Sequence, residues 1–454
     1  MCIGALILVP LCFKKSRLLV VVIAIFIGAT AMSIRQSSLE RSGITDYFNT
    51  SIEFSAQIIT DPMATTTGKY SFTAKLLQFS SGKNKFALRV PVRIIAQRQV
   101  KALPGQKIFA QARVIESSES RVAALLLVDK AIAVTTKPSR WAAALGSIRS
   151  GLRNHSGSGD AGALIPGMVL GDTSKQTAEF KDAMKRSGLT HLVAVSGANF
   201  AIVSSFVLWC MQFVIKRNKY RLLATAIALT CFIALVRPSP SVLRAAAMAA
   251  VLLSAQASKR RTDSLPALGF AIAAVVIGDP WQAQDAGFAL SVLATAGLLL
   301  LAPVIEEKLP THKKLAGALA PPIAAMLFCS PILVALSGYL SPMSIVANLL
   351  AAPFVAPITI FGFVAALVSP IAPALTVVLI FCIRIPASLI GSIARHIAEF
   401  PVLTIHNGKV GFLVVAILIA LTWLFKKNWR TTASIILVVI LSLTWLQRWP
   451  AGDW

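Results

Sequence analysis

The sequence predicts a polytopic α-helical membrane protein with one inserted small β domain, and three observations predict it. Of 454 residues, 56% are hydrophobic and only 14% charged, with a mean hydropathy of +0.74, too apolar for a water-soluble globular chain. Apolar runs near the length that crosses about 30 Å of hydrocarbon recur along most of the chain. Between Ile34 and Arg140 they give way to short alternating segments and polar turns, the pattern of strands.

Residues 1–33 are read as N-terminal membrane helices. The apolar start is followed by Lys14, Lys15 and Arg17, whereas a signal peptide carries its charges in front, so a short first span fits better. A full run covers 18–33, and others cover 192–215, 222–236, 242–257, 265–278, 287–305, 315–340, 343–368, 371–393, 410–425 and 433–445. About ten or eleven spans are expected. The six cysteines fall in apolar runs without CxxC spacing and read as small hydrophobes.

The segment 34–140 is expected to be an extracytoplasmic β domain. Ile52, Phe54, Ala56 and Ile58 alternate with polar neighbours, as do Phe86, Leu88, Val90, Val92 and Ile94, and Ile108, Ala110, Ala112 and Val114. Period two gives each strand one buried and one solvated face. "ATTTGK", "SSGKNK" and "LPG" supply turns. About five strands suit a small closed barrel of the oligonucleotide/oligosaccharide-binding (OB) type.

The whole chain carries a net charge of +26, and this segment alone holds sixteen Lys and Arg against seven acids. Lys83, Lys85, Arg89 and Arg93 cluster near Phe79 and Phe86, a combination suited to gripping phosphates and stacking bases. The same charge is equally compatible with solubility or with contact to anionic headgroups.

Residues 141–188 read as an amphipathic, interfacial linker. "GALIPGMVLGDTSKQTAEFKDAMKRSGLTHL" suggests a turn, a cap at Asp172, Thr173 or Ser174, an apolar stripe of Phe180, Ala183 and Met184, and a stop at Gly188. The core covers 189–446, with a short tail at 447–454. Lys216, Arg217, Lys219 and Arg221, then Lys259 to Arg261, Lys308, Lys313 and Lys314, and Lys426, Lys427 and Arg430 occupy alternate loops. The positive-inside rule makes those loops cytoplasmic and puts the β domain and the C-terminus outside.

Polar side chains at membrane depth are candidates for function. They are His191, Ser196 and Asn199, then Arg237 and Arg244, then Asp279 and Asp285, and finally Asn348 and Arg384. Small residues at Ser196, Gly197 and Ala198 let another backbone approach closely or let the helix break. Prolines such as Pro321, Pro331, Pro353 and Pro357 are further interruption sites. Interhelical hydrogen bonding accounts equally well for Ser196, Asn199 and Asn348, snorkelling for Arg244, and helix capping for Asp285. Five scattered histidines, with no HExxH or HxHxDH and no GxxxxGK[ST] loop, lead us to expect no enzyme, metal or cofactor chemistry in this chain.

"GLTHLVAVSGANFAIV", "PSVLRAAAMAAVLLSA", "DPWQAQDAGFALSVLATAGLLLLAPVI" and "LSGYLSPMSIVANLLAAPFVAPI" together resemble the successive membrane motifs of the ComEC competence family, in family order, and "LPGQKIFAQARV" resembles the end of its extracytoplasmic domain. The resemblance implies an inner-membrane channel that admits single-stranded DNA in natural transformation. It assigns Ser196 and Gly197 to the family's Ser-Gly, Arg244 to its Arg-Ala motif, Asp285, Gly287 and Phe288 to its Asp-x-Gly-Phe, and Asn348 to the Asn of its "aNll" motif. Many members have His where this chain has Asn199, so no titrating role is carried over.

Many members also end in a metallo-β-lactamase-like domain, where this sequence stops at Trp454; degradation of the second strand is expected to need a separate nuclease or to be absent. The implied path uses His191, Ser196, Gly197, Asn199, Arg237, Arg244, Asp285 and Asn348, and the implied partners are single-stranded DNA, membrane lipids, a DNA receptor, and a cytoplasmic ATPase or single-strand-binding protein. The alternatives are a secondary transporter of a small solute and a membrane-anchored protein that binds envelope polymer or lipid.

Overall fold

The computed structural model describes residues 16–404 apart from 41, 66–67, 82–83, 118, 194, 238–239 and 258–263. The expected spans at 1–13, 410–425 and 433–445, the tail at 447–454 and the expected phosphate ligand Lys83 lie outside the described residues. The chain divides into two compact units, 1–150 with 279–281, and 151–278 with 282–454.

The first unit begins with a helix, α1 (Ser16–Glu40), followed by a seven-stranded sheet. Its strands are β1 (Ser51–Ile58), β2 (Met63–Ala64), β3 (Tyr70–Ser81), β4 (Asn84–Ala96), β5 (Lys107–Ile115), β6 (Leu125–Val128) and β7 (Ala133–Val134). β1 pairs with both β3 and β5, β3 with β4, β4 in parallel with β6, and β6 with β5. The five longer strands therefore pair in a cycle that returns to β1. β2 and β7 are two-residue additions on β3 and β5.

The alternation read in the sequence is the burial pattern observed: β5 runs exposed–buried throughout, and β1 buries Ile52, Phe54, Ala56 and Ile58. Phe54 and Phe72 are 1% and 0% exposed, and burying each stabilises the core by about 1.5–3 kcal/mol. β6 is apolar at every position, and only its pairing reveals which residues face in.

The second unit is helical. α2 (Arg140–His155) crosses the boundary at 150 and is followed by α3 (Gly159–Leu170), α4 (Ala178–Arg186), α5 (Thr190–Val193), α6 (Gly197–Val214), α7 (Asn218–Val236), α8 (Pro240–Ala257), α9 (Ser264–Gly278), α10 (Ala286–Leu300), α11 (Ala302–Lys308), α12 (Lys313–Ser337), α13 (Ser344–Val368) and α14 (Pro373–Ala398). A two-residue ribbon pairs β8 (Tyr339–Leu340) with β9 (Leu403–Thr404).

Among the described residues five helices, α6, α7, α12, α13 and α14, are long and apolar enough to cross a membrane. α10 and α11, bent by 41° at their junction, make a sixth if they count as one span. α3, α9 and the stretch Val242–Val251 of α8 are apolar but shorter. Among the described residues the expected runs correspond to helices, several of them shorter than a full span.

Three local expectations are corrected. "GALIPGMVL", read as a turn, belongs to α3, whose residues from Ala161 to Leu170 are all buried; uniform apolarity marks a helix packed on every side, not a loop. The cap of α4 is Thr177, whose hydroxyl accepts from Phe180 N at 3.2 Å, while Asp172 instead accepts from Ser174 N and pairs with Arg153 at 3.4 Å. Pro321, Pro322 and Pro331 lie inside continuous α12, and Pro353 and Pro357 inside α13. Packing against neighbouring helices sustains such helices where an isolated one would break.

Candidate functional site

The run 192–215 does not form one helix. α5 ends at Val193 and α6 starts at Gly197, with Ser196 between them in an extended conformation, φ −85° and ψ 163°. Ser196 caps α6 through its hydroxyl, which accepts from Asn199 N at 3.1 Å. The cap explains why a hydroxyl sits at this depth: the first N–H groups of a helix have no partners of their own.

Gly197 is where α8 meets this start. A Cβ there would lie 2.7 Å from an Arg244 terminal nitrogen, so only glycine lets the guanidinium approach the turn. Arg244 is 5% exposed. Its Nε donates to Ser291 Oγ at 3.0 Å, and one terminal nitrogen donates to Thr295 Oγ1 at 2.5 Å and to Met248 Sδ at 3.7 Å. Arg244 makes no ion pair among the described residues. A buried guanidinium held by neutral groups keeps its positive potential where, as among the described residues, no carboxylate pairs with it.

Asn199, fully buried, stands one turn further along α6 and donates from Nδ2 to Met168 O in α3 at 3.1 Å. Its Oδ1 has no hydrogen-bond partner among the described residues, and neither does Nε2 of Gln176. That nitrogen lies 3.1 Å from where a Cβ on Gly167, the neighbour of Met168, would be. Two buried amides of opposite hydrogen-bonding need thus border the same turn of α3.

The other expected residues are spread around this cluster. Asp285 caps α10, accepting from Phe288 N at 2.9 Å, and α10 carries Ser291 and Thr295. Arg237 ends α7 with φ 75° and ψ 140°, a region seldom occupied by any residue but glycine. Asn348 donates to Ser344 O within α13 at 2.7 Å. Gly188, at the end of the α4 turn, packs directly on Ser344. His191 is exposed, and its Nδ1 lies 3.3 Å from Gly188 O. The structure therefore joins Ser196, Gly197, Asn199 and Arg244 in one place.

Ser291 and Thr295 were not singled out from the sequence. Their signal was present: hydroxyls four apart on one helix share a face, opposite a membrane-embedded Arg.

In the sheet unit, the expected phosphate and base ligands separate onto two faces. Lys85 and Arg89 are exposed, and Arg93 pairs with Glu119 at 2.6 Å. Phe86 lies on the opposite side of β4, its ring stacked on Phe79 at 5.0 Å and tilted against Tyr47 at 5.4 Å. Those rings pack on the core, so Phe86 and the cations do not form one surface, contrary to the expectation. Strand period two puts adjacent positions on opposite faces.

A helical bundle with membrane-length segments and a buried cation at a helix break, together with a separate sheet-containing unit, defines a polytopic membrane protein. The chain belongs to the competence protein family, whose model matches residues 168–445. ComE operon protein 3 of Bacillus subtilis (strain 168) is 27% identical over 196 residues, 43% of this chain and 25% of that protein. The similarity thus spans a quarter of that relative's length. No solved structure matches the chain.

Proposed function

We propose that this protein is the inner-membrane channel through which single-stranded DNA enters the cytoplasm in natural transformation. The observation that carries this reading is Arg244: a buried guanidinium beside a helix break, held by two hydroxyls and a thioether and without an ion pair among the described residues, in a chain of the competence family. A phosphate passing Ser196 and Gly197 would meet an attractive potential without a fixed counter-ion in competition. Hydroxyl oxygens that accept from the guanidinium hold it without trapping it in an ion pair.

The sheet unit is proposed to face away from the cytoplasm and to meet the DNA first. The cyclic pairing of β1, β3, β4, β6 and β5, with β4 and β6 parallel, supports the OB-type barrel reading, and the excess of Lys and Arg over 34–140 supports a polyanionic ligand. Neutralising phosphate ignores base sequence, as a channel for any DNA requires. A DNA receptor, a nuclease and a cytoplasmic motor are proposed as separate partners.

The test is transformation in a naturally competent host that carries the protein. Arg244→Ala should lower transformant yield by about tenfold or more, the factor that 1.4 kcal/mol gives in one binding step, with protein in the membrane unchanged by immunoblot. Arg244→Lys, which keeps charge but loses the forked geometry, should fall between. Undiminished yield from Arg244→Ala would overturn the proposal.

A further inference from the structure

We infer that Phe109 is a base-stacking platform on the outside of the sheet unit, with Lys107 and Lys130 placed to take the flanking phosphates of a single strand. The inference rests on the reading that this unit meets DNA, and it names the surface.

Phe109 is the third residue of β5, and the strand's alternation buries Ile108 and Ala110 while Phe109 faces out. It is 44% exposed, an unusual state for an aromatic ring in the middle of a paired strand. The reason lies in its neighbours. Across the sheet it pairs with Ser55 of β1 on one side and Ala133 of β7 on the other. Both side chains are too small to cover a phenyl ring, so its face stays open.

Along β5 the two next outward positions are Lys107 and Gln111. Lys107 is exposed, and Lys130 donates to Gln111 Oε1 at 3.1 Å. An ammonium group thus stands on each side of the ring along the strand. A third, Lys75 of β3, sits in register with Lys107 across Gln57 of β1, about 10 Å away at the strand spacing. The neighbouring acids are Glu53, opposite Gln111, and Asp129, which accepts from Gln97 at 2.8 Å.

An open ring between cations is the arrangement that binds single strands without sequence preference: the bases supply a π-face and the backbone supplies charge. Duplex DNA keeps its bases stacked inside and offers no face to the ring. Phe86, the aromatic residue that the sequence suggests, is packed on Phe79 and unavailable.

The experiment uses the full-length protein in detergent or nanodiscs and measures anisotropy with two labelled strands of equal length, oligothymidylate and its abasic counterpart. Phe109→Ala should weaken oligothymidylate binding by about tenfold, within the range for one stacked base, and leave abasic binding within about twofold. Phe109→Trp should restore it. Lys107→Gln should weaken both strands alike. Equal losses on both strands with Phe109→Ala, or no loss on either, overturn the inference while DNA binding by the unit stands. If the unaltered protein binds neither strand at about 50 mM salt, the DNA-binding role of the sheet unit fails, and this inference with it.

Discussion

At the scale of single residues, the decisive contact is between Gly197 and Arg244. The sequence shows that both are unusual at membrane depth, and it shows that a helix can break at Ser196 to Ala198. It does not show that the two meet, because 47 positions separate them and neither periodicity nor composition encodes that distance. Gly197→Ala would push a methyl group into the guanidinium, 2.7 Å from the Cβ position. The guanidinium must then shift, which disturbs its hold by Ser291 and Thr295. DNA uptake should fall with Gly197→Ala and fall no further when Arg244→Ala is added, since both substitutions remove one arrangement. Additive losses in the double variant would mean that the residues act independently. Asn199 presents the opposite lesson: an amide in an apolar run reads as interhelical glue, and one half of it is that, through Met168 O. Only the structure shows the other half without a partner among the described residues.

At the scale of elements, α10 joins the cap to the site. Asp285 holds its first turn at Phe288 N, and Ser291 and Thr295, further along the same helix, hold Arg244. Capping by Asp and Asn is nearly equivalent, whereas Ala forfeits about 1 kcal/mol. Asp285→Ala should therefore lower the thermal midpoint in detergent and reduce uptake, while Asp285→Asn should leave both close to the unaltered protein. Loss of uptake with Asp285→Asn at unchanged stability would show that the charge itself acts in transport. Helix content was legible here because apolar runs of membrane length leave little choice of structure. Helix ends were less so: Thr177 and Asp172 are both competent caps by chemistry, and tertiary contact with Arg153 decides between them. The strands of the sheet unit were legible from their period, and β6, apolar throughout, was not.

At the scale of the whole molecule, charge is the readable property and its side of the membrane is the untried consequence. The loop after α6 with the first turn of α7 carries Lys216, Arg217 and Lys219, and the end of α11 with the start of α12 carries Lys308, Lys313 and Lys314, the enrichment that marks the cytoplasmic ends of spans. The sheet unit also carries an excess of Lys and Arg; if it lies on the opposite side, as proposed, that charge needs a ligand or a solvent role, because topology does not supply one. Labelling decides the first step of this argument. Gln97→Cys, at an exposed position after β4, should react with a membrane-impermeant maleimide on intact spheroplasts, in a background where Cys210, Cys231, Cys329 and Cys382 and the N-terminal Cys2 and Cys12 are replaced by Ser or Ala. Cysteine placed at Lys219 should react only after permeabilisation. If Gln97→Cys also needs permeabilisation, the sheet unit faces the cytoplasm, its cations follow the positive-inside rule like any loop, and the case for an outer DNA-capturing surface loses its electrostatic ground.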